Sequence, residues 1–154
     1  MVSHTYKENS WPLMLTKEEE ERLFDFLHQR FGIPIGVLSN FLWFKKGEHI
    51  YTLKKSDYVE SAFRYKVFNV GIRVLGFQKD YFIFHRWFLG AFKKFITKSR
   101  LWINSDQLEQ LRKAPIGFFV DISPGPVVLA VNGLGDVGMG YYKNGQLRAQ
   151  GLWI

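Results

Sequence analysis

Three glycines in the last quarter of the chain have the spacing of a dinucleotide-binding loop. Gly133, Gly135 and Gly138 spell G-x-G-x-x-G, a pattern that holds a pyrophosphate at the start of a helix. That use requires a strand before the loop, a helix directly after it and an acidic residue about 20 positions further on. The apolar run 127–131 provides the strand, but Asn144-Gly145 is typical of a two-residue β-hairpin turn. The sequence therefore predicts glycine-rich antiparallel strands here, and no cofactor.

The side chains that catalysis or metal binding would use are few and scattered. His28 follows Glu21 and Asp25 at helical spacing, which we interpret as the solvated face of a helix. No H-E-x-x-H zinc motif and no Cys occurs in the sequence. The remaining histidines, which are far apart in the sequence, are His4, His49 and His85. We predict no catalytic residue and no metal ligand.

The positive charge is concentrated in one segment. The net charge of the chain is +7, whereas residues 1–65 contain nine basic and nine acidic side chains. Residues 66–100 contain eight Lys or Arg and a single acidic residue, Asp80, so this segment alone carries +7. Such a concentration favours a polyanionic partner, above all nucleic acid. The alternative is that these side chains only keep an aromatic-rich surface soluble.

The candidate phosphate ligands lie in and around this segment. A helical repeat of apolar residues predicts one amphipathic helix, whose buried side is formed by Phe84, Trp87, Phe88, Ala91, Phe92 and Phe95. We expect the opposite side and the following strand to share one exposed basic face, formed by Arg86, Lys93, Lys94, Lys98 and Arg100. The full set of predicted RNA-binding residues is Arg73, Lys79, Arg86, Gly90, Lys93, Lys94, Lys98, Arg100, Lys143 and Arg148.

The pattern of the first 65 residues predicts a small α+β domain. Thr16 and Glu19 have the spacing of a capping box, and the helix that they begin is expected to end at Gly32. Two strands should follow, at 41–44 and 49–53, around a turn. A short helix from Ser56 to about Arg64 closes this domain.

Residues 66–154 predict a second domain that is mainly β. We expect a strand at 67–75 that is broken by Gly76, then a strand near 80–83 and the amphipathic helix. A strand at 99–103 and a short helix capped by Asn104 or Ser105 come next. The last predicted strands are 116–120, 126–131, 135–142 and 146–150. Antiparallel strands with interposed short helices fit a small closed β-barrel, so the fold class is α+β.

The order of these elements resembles a pre-PUA domain followed by a PUA domain. The segments that carry the resemblance are "SRLWINSDQLEQL" and "PVVLAVNGLGDVGMGYYKNGQLRAQ". The chain is similar to the Nip-seven family of ribosome-biogenesis factors and to the RNA-binding tail of RsmF-type rRNA cytosine-C5 methyltransferases. The resemblance implies a β-pseudobarrel that binds structured rRNA or tRNA without catalysis. It further implies an RNA-modifying enzyme or a ribosome-assembly factor as a protein partner.

Two features bear on this resemblance and on its alternative. The glycine-plus-proline segment of many PUA domains is not evident, and residues 92–95 stand in its place. The alternative function is a protein-interaction adaptor, in which Trp43, Phe44 and Trp153 form an exposed apolar patch.

No apolar run approaches the ~18 residues of a membrane span, and no signal peptide is evident. We therefore expect a cytoplasmic protein without a membrane partner.

Overall fold

The chain divides into two compact units, each built on one sheet. The computed structural model describes residues 13–55, 71–78 and 81–153. The first unit consists of the chain up to Phe26 together with Pro34–Phe88, and the second consists of Leu27–Ile33 together with Leu89–Ile154. Helices and strands occur in both units, so the predicted α+β class is confirmed.

The first helix, α1 (Lys17–Phe31), begins with the capping box that the sequence predicts. The Thr16 hydroxyl accepts a hydrogen bond from the Glu19 N–H (3.1 Å), and the Glu19 carboxylate accepts one from the Thr16 N–H (2.8 Å). These two bonds satisfy N–H groups that have no partner inside the helix. The last turn of α1 belongs to the second unit. A short helix, α2 (Ile35–Leu38), follows.

Within the described residues, the sheet of the first unit has five strands in chain order, each antiparallel to its neighbour. They are β1 (Leu13–Met14), β2 (Phe41–Lys46), β3 (His49–Lys54), β4 (Ile72–Gln78) and β5 (Tyr81–Phe84). Gly76 was expected to end a strand, but it pairs with His49 on one side and Ile83 on the other. The sequence places β4 and β5 in the second domain, whereas they complete this sheet. The predicted helix from Ser56 and the predicted boundary at residue 65 lie outside the described residues.

Trp43 and Phe44 do not form an exposed patch, because both side chains are fully buried. The Trp43 ring packs edge-on against Phe24 at 5.9 Å, and its indole N–H donates to the Leu38 carbonyl (3.0 Å). Phe44 stacks on Tyr51 with ring centroids 5.8 Å apart. Successive strand residues face opposite sides, so both faces of β2 are covered. This burial corrects the expectation from the sequence.

The predicted amphipathic helix is shorter than its apolar pattern. Helix α3 covers Arg86–Phe92, a 3₁₀ turn covers Lys93–Phe95, and Phe84 belongs to β5. Trp87 was expected in the core, but 54% of it is exposed. Because the chain changes from strand to helix at His85 and tightens after Phe92, the positions do not share one continuous helical stripe.

The sheet of the second unit curls into a half-barrel. Its strands are β6 (Arg100–Ile103), β7 (Ile116–Gly117), β8 (Gly125–Val131), β9 (Gly135–Lys143) and β10 (Gln146–Leu152). Their order in the sheet is β6-β8-β9-β10-β7, and β6 runs parallel to β8. Helix α4 (Ser105–Leu111) follows β6 and is capped by Asn104, as predicted. The predicted strand 116–120 is formed only at Ile116–Gly117.

The glycine motif forms the hairpin β9–β10, and no helix begins at its glycines. Asn144 and Gly145 both have positive φ (52° and 76°), as a type I′ turn requires. A side chain at Gly138 would collide with the carbonyl oxygen of Gly151 on β10. The prediction of glycine-rich antiparallel strands with close backbone approach is therefore confirmed.

Candidate nucleic-acid interface

Three exposed lysines lie within six residues of each other in the second unit. Lys93 and Lys94 are in the 3₁₀ turn, and Lys98 is two residues before β6. None of the three forms an ion pair with a carboxylate in the described part of the chain. The Lys94 ammonium lies 5.1 Å from the centre of the Phe95 ring. These lysines are therefore available to phosphate oxygens, and we call them the lysine cluster.

The backbone that carries the lysine cluster is fixed by the end of α1. The N–H groups of Thr97 and Lys98 both donate to the Phe31 carbonyl (2.8 and 3.1 Å). The Ser99 hydroxyl donates to the Arg30 carbonyl (2.7 Å). Carbonyls in the last turn of a helix lack partners inside it, so these bonds satisfy them. A backbone that is already ordered loses less conformational entropy when a ligand binds.

Arg100 has a structural role that differs from the expected one. Its guanidinium forms a bidentate ion pair with Asp136 (2.9 and 3.2 Å). It also donates to the carbonyls of Ile96 and Lys93, each at 3.1 Å. Arg100 is half-buried and fully engaged, so it does not share the exposed face of the lysine cluster. Its hydrogen bonds instead hold the 3₁₀ turn next to β6 and β9.

Trp102 is a candidate binding residue that the sequence analysis missed. It lies on β6 at the edge of the sheet, and 56% of it is exposed. Leu101 and Ile103 are buried, so Trp102 faces the same side of the strand as Arg100, about 7 Å away along it. An exposed indole can stack on an unpaired base. The alternation in "RLWI" could have identified this residue.

A second basic group lies on the β9–β10 hairpin. Lys143 and Arg148 are both exposed there, and β10 is three strands away from β6, which is about 14 Å. Phe119 is 92% exposed, and its ring lies 3.2 Å from where a Cβ of Gly145 would stand. The structure therefore separates Lys143 and Arg148 from the lysine cluster.

The other predicted residues are divided between the two units. Arg73 is exposed on β4 in the first unit. Arg86 is exposed at the start of α3, with its guanidinium 5.3 Å from the centre of the Trp87 ring. Gly90 is exposed in the part of α3 that belongs to the second unit. Lys79 lies outside the described residues.

Comparison with known proteins leaves the family of this chain open. No protein-family model matches it, and no curated protein matches it significantly. Among residues 13–55, 71–78 and 81–153, no helix has the length and apolar character needed to cross a membrane. The same residues contain no group of three or more His, Cys, Asp or Glu side chains placed to hold a metal ion.

Proposed function

We propose that this chain is a non-catalytic RNA-binding protein whose second unit binds structured rRNA or tRNA. The observation that carries the proposal is the lysine cluster, which is exposed, free of carboxylate partners in the described chain and mounted on a hydrogen-bonded backbone. Four of the eight basic residues in the segment 66–100 belong to the second unit, and three of them form this cluster. The resemblance to PUA domains supports the same function, and it favours a cytoplasmic role in ribosome biogenesis or RNA modification.

The binding mode follows from the chemistry of the exposed groups. Each lysine that neutralises a phosphate releases condensed counterions, so affinity should fall with salt. Three contacts should give a log–log slope of about −2 on single-stranded RNA. Trp102 adds stacking on an unpaired base, worth about 1–3 kcal/mol. The preferred RNA should therefore present an unpaired nucleotide next to a phosphate backbone that the lysines reach.

The proposal is tested by charge reversal at the lysine cluster in the full chain. The triple variant Lys93→Glu, Lys94→Glu, Lys98→Glu should bind tRNA and rRNA-fragment transcripts at least about tenfold more weakly in filter binding, with a flatter salt dependence. A matched control reverses three exposed lysines elsewhere, Lys54, Lys55 and Lys113. Both variants change the net charge equally, so an equal loss in both would contradict a defined site.

The alternative function, a protein-interaction adaptor, rests on an expected apolar patch of Trp43, Phe44 and Trp153. Trp43 and Phe44 are buried and Trp153 is half-buried, so these three residues do not form that patch. A protein partner enters the proposal only as an RNA-modifying enzyme or a ribosome-assembly factor that acts on the same RNA. Co-purification that depends on intact RNA would support that arrangement.

A further inference from the structure

Two histidines that are far apart in the sequence meet on one face of the first sheet. His49 begins β3 and pairs directly with Gly76 of β4. His85 follows the end of β5, where its N–H donates to the Val74 carbonyl (2.9 Å). The centroids of the two imidazole rings are 5.6 Å apart. The strand order therefore produces a histidine pair that spacing along the chain did not predict.

One nitrogen of each ring faces the space above Gly76. A Cβ built on Gly76 would stand 3.7 Å from His49 Nδ1, 3.6 Å from His85 Nε2 and 3.8 Å from the Glu48 carbonyl oxygen. Both ring nitrogens are buried, and neither has a hydrogen-bond partner in the described part of the chain. A buried polar atom without a partner costs about 1–3 kcal/mol. A ligand that bound both nitrogens at once would remove that cost.

The protonation state of the pair suits a metal ion. Burial lowers the pKa of both imidazoles, and the positive charge of Arg73 lowers both further. The Glu48 carboxylate partly offsets this at His49, and His49 adds to the lowering at His85. A lowered pKa favours the neutral imidazole, which is the form that coordinates a metal.

One member of the pair, His49, borders a cavity in the same unit. His49 lines a cavity of about 390 Å³ whose apolar wall includes Ile50, Phe77 and Phe82. Its charged lining residues are Glu19, Glu48, Arg22 and Lys45, which balance in sign. The cavity beside His49 therefore has no strong electrostatic preference of its own.

We propose that His49 Nδ1 and His85 Nε2 bind one divalent transition-metal ion of the zinc type above Gly76. Imidazole is a preferred ligand of zinc and cobalt, and the Glu48 carbonyl oxygen or solvent would complete the coordination. Two protein side chains and a nearby Arg73 charge make this a site of moderate affinity. It does not depend on the proposed RNA-binding function, because it lies in the other unit.

The site is tested by titrating the full chain, freed of metal with a chelator, with Zn²⁺ or Co²⁺ at about pH 7.5. We expect one equivalent to bind, with a change in the Co²⁺ visible spectrum and shifts in the NMR signals of two histidine rings. His49→Ala and His85→Ala should each weaken binding at least about tenfold. The matched control, His4→Ala with His28→Ala, removes as many histidines as both variants together and should bind as the natural chain does.

Gly76→Ala is the sharpest variant, because its methyl group would stand 3.7 Å from His49 Nδ1 and 3.6 Å from His85 Nε2. The methyl would stand at ordinary contact distances from its neighbours, and Gly76 does not have a left-handed backbone, so the fold should be retained. Binding should weaken at least about tenfold, while circular dichroism and the melting temperature stay close to those of the natural chain. Arg73→Gln should tighten binding, since it removes an opposing charge.

Three results would overturn the proposal. The first is the absence of one-equivalent binding up to about 1 mM Zn²⁺ or Co²⁺. The second is loss of binding in the control without His4 and His28. The third is a folded Gly76→Ala variant that binds as tightly as the natural chain. The measurement on Gly76→Ala remains decisive even if a histidine variant fails to fold.

Discussion

Arg30 should be among the most important single side chains for the stability of the second unit. It is only 9% exposed, and its partners lie more than ninety residues away in the sequence. Its Nε donates to the Pro126 carbonyl (2.7 Å), and its Nη1 donates to the Ser123 carbonyl (2.8 Å) and hydroxyl (2.9 Å). Burial lowers the pKa of Arg30, but an arginine stays charged in a protein. The guanidinium therefore ties the end of α1 to the loop before β8.

The cost of losing this side chain can be estimated from its bonds. A hydrogen bond from a charged donor contributes about 1.5–3 kcal/mol, and a buried acceptor that is left without a donor costs about 1–3 kcal/mol. Ser123 is exposed, so water can replace the donor at that residue. Arg30→Ala should therefore lower the free energy of unfolding by about 3–5 kcal/mol, a large part of the stability of a small protein. Arg30→Lys keeps the charge but cannot span three acceptors, so it should recover less than half of the loss.

Urea unfolding followed by circular dichroism measures these differences. Arg22→Ala is the matched control, because it removes the same side chain from an exposed position of the same helix and should change stability by no more than about 0.5 kcal/mol. Ser123→Ala isolates the single bond to the hydroxyl, at about 1 kcal/mol. If Arg30→Ala and Arg22→Ala shift the urea midpoint equally, the assigned role of Arg30 is wrong.

Three further predictions concern other elements. Trp102→Ala should weaken RNA binding about tenfold in filter binding with little change in melting temperature, whereas equal affinity would exclude stacking. Gly138→Ala should lower the free energy of unfolding by more than about 2 kcal/mol, because its methyl collides with the backbone of β10; Gly117→Ala, where nothing lies within 4 Å, should be nearly neutral. Burial and Arg73 hold the pKa values of His49 and His85 below their usual 6.5, so the unfolded chain binds protons that the folded chain does not. Stability in urea should therefore fall as the pH drops below about 6.5, and replacing both histidines by Gln should flatten that fall.

Signals that act over a few residues predicted their structures well. The Thr16 and Glu19 capping box, the cap at Asn104 and the turn at Asn144-Gly145 all form as expected. In each case the partners are three residues apart or closer, so the sequence contains the whole interaction. The β9–β10 hairpin could be distinguished from a dinucleotide-binding loop for the same reason.

Features that depend on distant contacts could not be read from the sequence. Two adjacent aromatic residues on a strand place one side chain on each face of the sheet. The residues around Trp43 and Phe44 do not show whether both faces are packed against other parts of the chain, so their burial could not be predicted. Trp43 is covered by Phe24 of α1, whereas Phe44 stacks on Tyr51, its partner on the neighbouring strand β3. The helix that was expected to continue to Phe95 ends at Phe92 and is followed by a 3₁₀ turn, and the carbonyls of Lys93 and Ile96 accept hydrogen bonds from Arg100.

In the candidate RNA-binding surface, the exposed lysines could be predicted from the sequence, whereas the role of Arg100 could not. Counting charged residues along the chain identified the segment that contains the lysine cluster. Lysines are usually exposed, so their place in the fold did not have to be known. It could not separate Arg100 from them, because the carboxylate that engages Arg100 is Asp136 on β9, 36 residues later in the sequence. A basic residue that is paired with a carboxylate helps to position the backbone, but it offers little net positive charge to a phosphate. Mutations at Arg100 would therefore displace the lysines as well as remove a charge, and only substitutions at Lys93, Lys94 and Lys98 test the surface itself.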